Sequence, residues 1–242
     1  MTRALPFLLP LLLICSSAFG QDADSAAKST SPAIQPSTVV GASLVAAGTA
    51  ITFVPALQGI NTNVRDAVWA DGHGKLTFDN YLQYAPAAIP LAMKVCGVEG
   101  SRSSLRDMLA LAALSYTTGF LVVEGVKHAA GVQRPDARSN TSFPSGHTFT
   151  AFTGAEILRQ EYGHKYPAVA VGGYALATLT AAMRIYNNRH WVADVLAGAG
   201  VGILCVDFSY WVGDKLIEAS SDRKARRAEL EAMVSEPVLL SF

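Results

Sequence analysis

Cysteine is scarce in this chain, with three among 242 residues, at positions 15, 96 and 205. No two of them have the close spacing of a zinc site or a disulfide framework, so packing within apolar segments is the default role of Cys96 and Cys205. Charge is scarce as well. Charged side chains make up 16% of the residues, and the mean hydropathy is +0.28. An ordinary soluble domain carries about 25%. Nineteen Lys and Arg balance nineteen Asp and Glu, so no overall field draws in nucleic acid, and any anion that is bound must be bound locally. Strict apolar and polar alternation is missing too, which argues against half-buried strands.

What the chain does have is apolar length. Residues 1–20 read as an export signal, with Arg3 as the positive end, an apolar stretch behind it, and Ala18 and Gly20 as a small-x-small cleavage pattern. Residues 21–38 are mostly Ser, Ala, Thr, Asp and Pro, the composition of a flexible linker. Apolar runs then recur at 39–57, 81–98, 108–123, 149–158, 166–183 and 191–212. Most exceed ordinary strand length and are rich in Gly and Ala, which predicts an all-α bundle of about six helices over a core at 39–213, followed by a charged helical tail at 214–242. A bilayer crossing takes about 20 largely apolar residues. The runs starting at 39, 81, 108 and 166 come close to that length. Glu156 and Asp207 interrupt two others, and they fit either a carboxylate turned into the bundle interior or an exported soluble bundle. Arg102 and Arg106, Arg159 and Lys165, and the basic tail at 223–227 fall at alternate helix ends, as a positive-inside arrangement has them. Membrane embedding with the site at the extracytoplasmic helix ends is the expected arrangement. A cleaved signal does not reconcile with six crossings, so the number of crossings stays open.

Polar equipment concentrates at three helix boundaries. In "KHAAGVQRP", Lys127 and Arg134 stand where a long helix gives way to Pro135. In "SFPSGHT", Pro144 and Ser145 read as the start of a helix whose free N–H groups point outward. In "RIYNNRHWVAD", Arg184 ends one helix and His190 begins another. A phosphate would suit this set. Arginine offers a planar, permanently charged fork, lysine a point charge, and a helix start at Ser145 and Gly146 gives backbone donors without bulk. His190 and Asp194 are four apart, so on a helix they share a face. The carboxylate can then hold one imidazole nitrogen and leave the other as an oriented nucleophile, with His147 free to donate a proton. His128, Arg138 and Arg189 match no such role and read as flanks or rim.

Lys127 with Arg134 and Pro135, then "PSGH" at 144–147, then Arg184, His190 and Asp194 together resemble the three-part signature of the type 2 phosphatidic acid phosphatase superfamily, which includes bacterial class A acid phosphatases and vanadium haloperoxidases. The resemblance implies that His190 attacks phosphorus, Asp194 orients it, and His147 protonates the leaving group. Lys127, Arg134, Ser145, Gly146 and Arg184 would hold the phosphoryl oxygens, with neither metal nor cofactor. It implies a phosphorylated lipid as substrate and a membrane as partner, or else a soluble periplasmic acid phosphatase. Met183 stands where the family commonly has serine, which removes one side-chain donor. The short connection at 136–143 leaves little chain to cover the pocket, so an open mouth is expected.

Overall fold

The computed structural model describes residues 35–70, 72, 74–102 and 104–235. The expected export signal and most of the linker lie outside them. Among the described residues there is no strand, and eight α-helices follow one another: α1 (Pro36–Phe53), α2 (Gly59–Trp69), α3 (Asp79–Leu82), α4 (Ala85–Val95), α5 (Leu105–Ala130), α6 (Gly146–Leu158), α7 (Pro167–Tyr186) and α8 (Val192–Ser235). Each of the six apolar runs becomes helical, and two short helices join them.

The boundaries follow local chemistry. Proline opens α1, α4 and α7, where its missing N–H costs nothing. In α5 the Ser104 hydroxyl accepts the N–H of Asp107, Lys127 and His128 sit in the last turn, and Gly131 closes the helix at φ 58°, a left-handed conformation open to glycine. The run at 81–98 breaks around Gln83 and Tyr84 into α3 and α4, because Pro86 sits at the first turn and Pro90 lies within the second piece. Neither piece is long enough to count as a span by length. The last run continues well past its apolar part, since nothing in the charged tail interrupts a helix.

Packing centres on α6. Ten of its thirteen residues are buried, which explains why its sequence is apolar on all sides without being a lipid-facing span. Around it stand α4, α5, α7 and α8, and α1 lies along α8, where Gly41 and Gly48 bring the two backbones into contact with Gly200 and Ala197. Among the described residues four helices are long and apolar enough to cross a membrane: α1, α5, α7 and the 192–228 part of α8. This set differs from the runs picked by length alone: the second drops out and the last enters. Large apolar side chains on α1 and α5, among them Val39, Phe53, Leu109, Phe120 and Leu121, face outward. A bilayer would take up that surface.

Glu156 and Asp207 point into the bundle. Glu156 pairs with Arg159 at 2.5 Å and accepts from the Tyr174 hydroxyl, and Asp207 accepts from Ser37 at 2.9 Å and from Thr38 at 2.7 Å. Beside them Glu161 accepts from Tyr210, and Arg102 bonds Asp214 at 2.8 Å. The basic corners around 102, 159 and 165 thus share one end of the bundle. Cys96 departs from expectation: it is exposed at the end of α4 rather than packed.

Candidate active site

At the opposite end, the C-termini of α5 and α7 meet the N-termini of α6 and α8. Lys127, in the last turn of α5, donates to Glu124 at 2.5 Å. Its ammonium also stands 3.3 Å from where a side chain on Gly146 would begin, which places it over the first turn of α6. Beyond the cap at Gly131 the chain turns tightly, with the Arg134 N–H donating to the Ser139 carbonyl and its own carbonyl accepting from Ala137, both at 2.9 Å. The Arg134 Nε is buried with no partner in the chain.

Ser145 is fully buried and serves mainly as a cap. Its N–H donates to the Asp194 carbonyl at 2.9 Å, and its hydroxyl accepts from the Thr148 N–H and from the Thr148 hydroxyl. Among the described residues the Gly146 and His147 N–H groups, the first two of α6, have no backbone acceptor. Gly198 allows this closeness: a Cβ there would lie 2.5 Å from the Ser145 carbonyl oxygen.

Arg184 is 6% exposed, and its carbonyl accepts the N–H groups of Arg189 and His190, folding 185–190 back over the end of α7. Met183 beside it is buried and supplies no donor. His190, 3% exposed, lies 3.2 Å through Nδ1 from Asp194 Oδ2. That oxygen also accepts the Trp191 N–H at 2.9 Å and the Ser142 hydroxyl at 2.5 Å, so the carboxylate is held on three sides. With Nδ1–H assigned as the donor, Nε2 keeps its lone pair. Burial, foremost, pulls the His190 pKa below the usual histidine range, Asp194 opposes it, and Arg184 and Arg134 add to the depression. The ring is neutral near pH 7. His147 is half-buried, and its Nε2–H donates to Asn80 Oδ1 at 3.1 Å. Its pKa falls to about 4, first through burial and then through Arg184 and His190, with Asp79 opposing.

All eight residues expected at the site thus lie at one end of the bundle. Four others have no signal in the motifs. Asp79 Oδ2 accepts from Arg184 Nη1 at 2.6 Å, deep in the protein. Asn80 meets His147. Asn187 forms a two-way bond with the backbone of Leu76, at 2.8 and 2.6 Å. Asn61 of α2 accepts the Ala193 N–H and so caps α8. The expected open mouth is therefore corrected: residues 74–80 lie across the site. The length of the connection at 136–143 carried no information about them, because they come from far earlier in the chain. Around Asp136 gather Lys75 at 3.6 Å, Arg189 at 3.4 Å and the exposed Arg138 at 3.8 Å. His128 is exposed and takes no part. Among the described residues no group of three or more His, Cys, Asp or Glu is placed to hold a metal ion.

Three cations, the first two N–H groups of α6 and a carboxylate-steered imidazole at the end of a helical bundle form an arrangement chemically able to hold an anion beside an imidazole. Residues 108–218 match the model of the PAP2 superfamily. That span holds every expected site residue but not residues 74–80. The chain is also 34% identical over 246 residues to the lipid A 1-phosphatase of Porphyromonas gingivalis, an alignment that takes in 94% of this chain and 54% of that protein. It thus spans about half the length of that relative. Among solved structures, Aquifex aeolicus LpxE is similar with a TM-score of 0.49 and 24% identity over 62% of this chain and 94% of the other. The first transmembrane PAP2 type phosphatidylglycerolphosphate phosphatase from Bacillus subtilis is similar with a TM-score of 0.40 and 19% identity, over 89% of this chain and 98% of that one.

Proposed function

We propose that the protein is a membrane phosphatase that removes phosphate from a lipid, with lipid A 1-phosphate the first substrate to try because of the 34% identical relative. Undecaprenyl diphosphate, phosphatidylglycerol phosphate and phosphatidic acid are the other candidates. The observation that carries this reading is the His190 and Asp194 pair with Arg184 and Arg134 as its neighbouring charges, and Lys127 over the first turn of α6.

In the proposed reaction His190 Nε2 forms a bond to phosphorus while the ester P–O bond breaks, and the departing lipid oxygen receives, relayed by His147, the proton that the monoanionic phosphate ester brings in. The guanidinium groups of Arg134 and Arg184, the Lys127 ammonium and the N–H groups of Gly146 and His147 carry the charge that spreads over the three remaining oxygens. Ser145 supports that turn. A water then attacks the phosphohistidine, giving its proton to His147, and inorganic phosphate leaves. The three cations supply the charge stabilisation, so no step calls for a metal.

The reading starts the helical core at Pro36, with the linker ahead of it at 21–35. It puts the site on the extracytoplasmic side of a bacterial inner membrane, because the basic corners at 102, 159 and 165 lie at the other end of the bundle. The test is a lipid panel in detergent, with and without EDTA, on wild type and His190→Ala. Phosphate release by wild type alone, unaffected by EDTA, is expected. No release from any of these lipids, or equal release by the variant, would refute it.

A further inference from the structure

Residues 74–80 belong to no motif, yet they touch the site at Arg184 and His147 and its surroundings at Asp136 and Asn187. Lys75 reaches Asp136 behind the Arg134 turn, and Leu76 is held on both sides by Asn187. Asp79 places a carboxylate on Arg184, and Asn80 places an amide oxygen on His147. The last two contacts parallel the two demands of a phosphate ester. A phosphoryl group needs the arginine fork, and a leaving oxygen needs the imidazole proton.

We propose that Asp79, assisted by Asn80, is a specificity-determining residue: it holds Arg184 Nη1, so an entering phosphoryl group meets only the buried, unpartnered Nε and must draw the guanidinium off the carboxylate to gain the second prong of the fork. This rests on the phosphatase reading. The carboxylate is buried with its partner, at 1% exposure, so displacing it costs the entering anion a charge-assisted hydrogen bond. A lipid phosphate anchored in the bilayer can meet that cost with binding energy from its remote parts, whereas inorganic phosphate or a small soluble ester has none to spend. The strap thereby selects for esters with a large membrane-held remainder. Lys127 is paired in the same fashion with Glu124, but that pair lies within one helix and is more exposed, so it yields more readily.

The experiment measures binding of inorganic phosphate and of orthovanadate to full-length protein in detergent by titration calorimetry. The proteins are His190→Ala, which cannot turn over, and the same background with Asp79→Asn or Asn187→Ala. In parallel, kcat/KM for p-nitrophenyl phosphate and for the lipid substrate is measured with Asp79 and Asn187 varied alone. Asp79→Asn should tighten phosphate binding on the order of tenfold and raise kcat/KM for p-nitrophenyl phosphate relative to the lipid. Asn187→Ala frees Leu76 without changing charge. It should shift both readings in the same direction, and it keeps the test alive if the buried Asp79 variant folds poorly. Unchanged or weaker phosphate binding in the variants, or an equal loss on both substrates, would mean that Asp79 only positions Arg184 and would overturn the proposal. If the protein with His190 intact turns over neither p-nitrophenyl phosphate nor the lipid, the phosphatase reading falls with it. Binding by the His190→Ala protein that does not tighten on the further substitutions refutes the competition alone.

Discussion

At the scale of residues, the site is two histidines whose protonation is set by their surroundings. Burial and the adjacent arginines keep both neutral near pH 7, with His147 titrating near 4. A neutral His190 is the form that can attack. A neutral His147, however, has no spare proton, so the proton for the leaving oxygen must arrive with the substrate as a phosphate monoanion. The second ionisation of a phosphate ester lies near about 6. Because kcat/KM reports the free enzyme and free substrate, it should fall by roughly tenfold per pH unit above about pH 6 to 7. A rate profile in detergent checks this, and a value that stays flat through about pH 9 would contradict it. His147 and His190 were legible from their motifs, because those positions follow from spacing along one helix or one turn. Asp79 was not. Nothing within several residues of it hints at Arg184, since that contact joins positions 105 apart in sequence.

At the scale of elements, the seat depends on how closely α8 approaches the start of α6. Gly198 makes that approach possible, and its neighbour is the Ser145 backbone, which cannot swing aside as a side chain would. Gly198→Val should therefore push α8 off the α6 cap, lowering phosphatase activity at least about tenfold and stability by about 1–3 kcal/mol. Gly172→Ala, in open space on α7, should leave activity intact and raise helix stability by up to about 1 kcal/mol. Turnover and thermal midpoint of the two variants provide the comparison, and equal behaviour would sink the packing argument. Six apolar runs were readable as helices because composition and length settle that locally. Their ends were less so. Prolines 86 and 90 decided that the second run could not form one helix of span length, and α2 escaped notice because its apolar content is modest and its value lies in contacts: Asn61 caps α8, and Arg65 lies 5.7 Å from the Trp191 ring centre.

At the scale of the whole molecule, polar and apolar surfaces are sorted by direction. Carboxylates turn inward to Arg159, Ser37 and Tyr210, while Phe120, Leu121, Leu179, Phe208 and Trp211 remain outside. Water would penalise that exterior, and lipid would not. The protein should therefore stay with membranes after an alkaline wash and be released only by detergent. Recovery in osmotic-shock fluid would instead favour the soluble acid phosphatase. The basic residues near the far end would then have no topological meaning.

The sequence by itself determined the helical class, the three motif-bearing corners and the pairing of His190 with Asp194, because each depends on neighbours within a few residues or one helical turn. Only the tertiary structure decided which of those groups meet another charge. Asp79 on Arg184, Asn80 on His147 and Asp194 behind Ser145 join segments that are remote in the chain. Such contacts are fixed by how helices pack, and local composition carries no record of that.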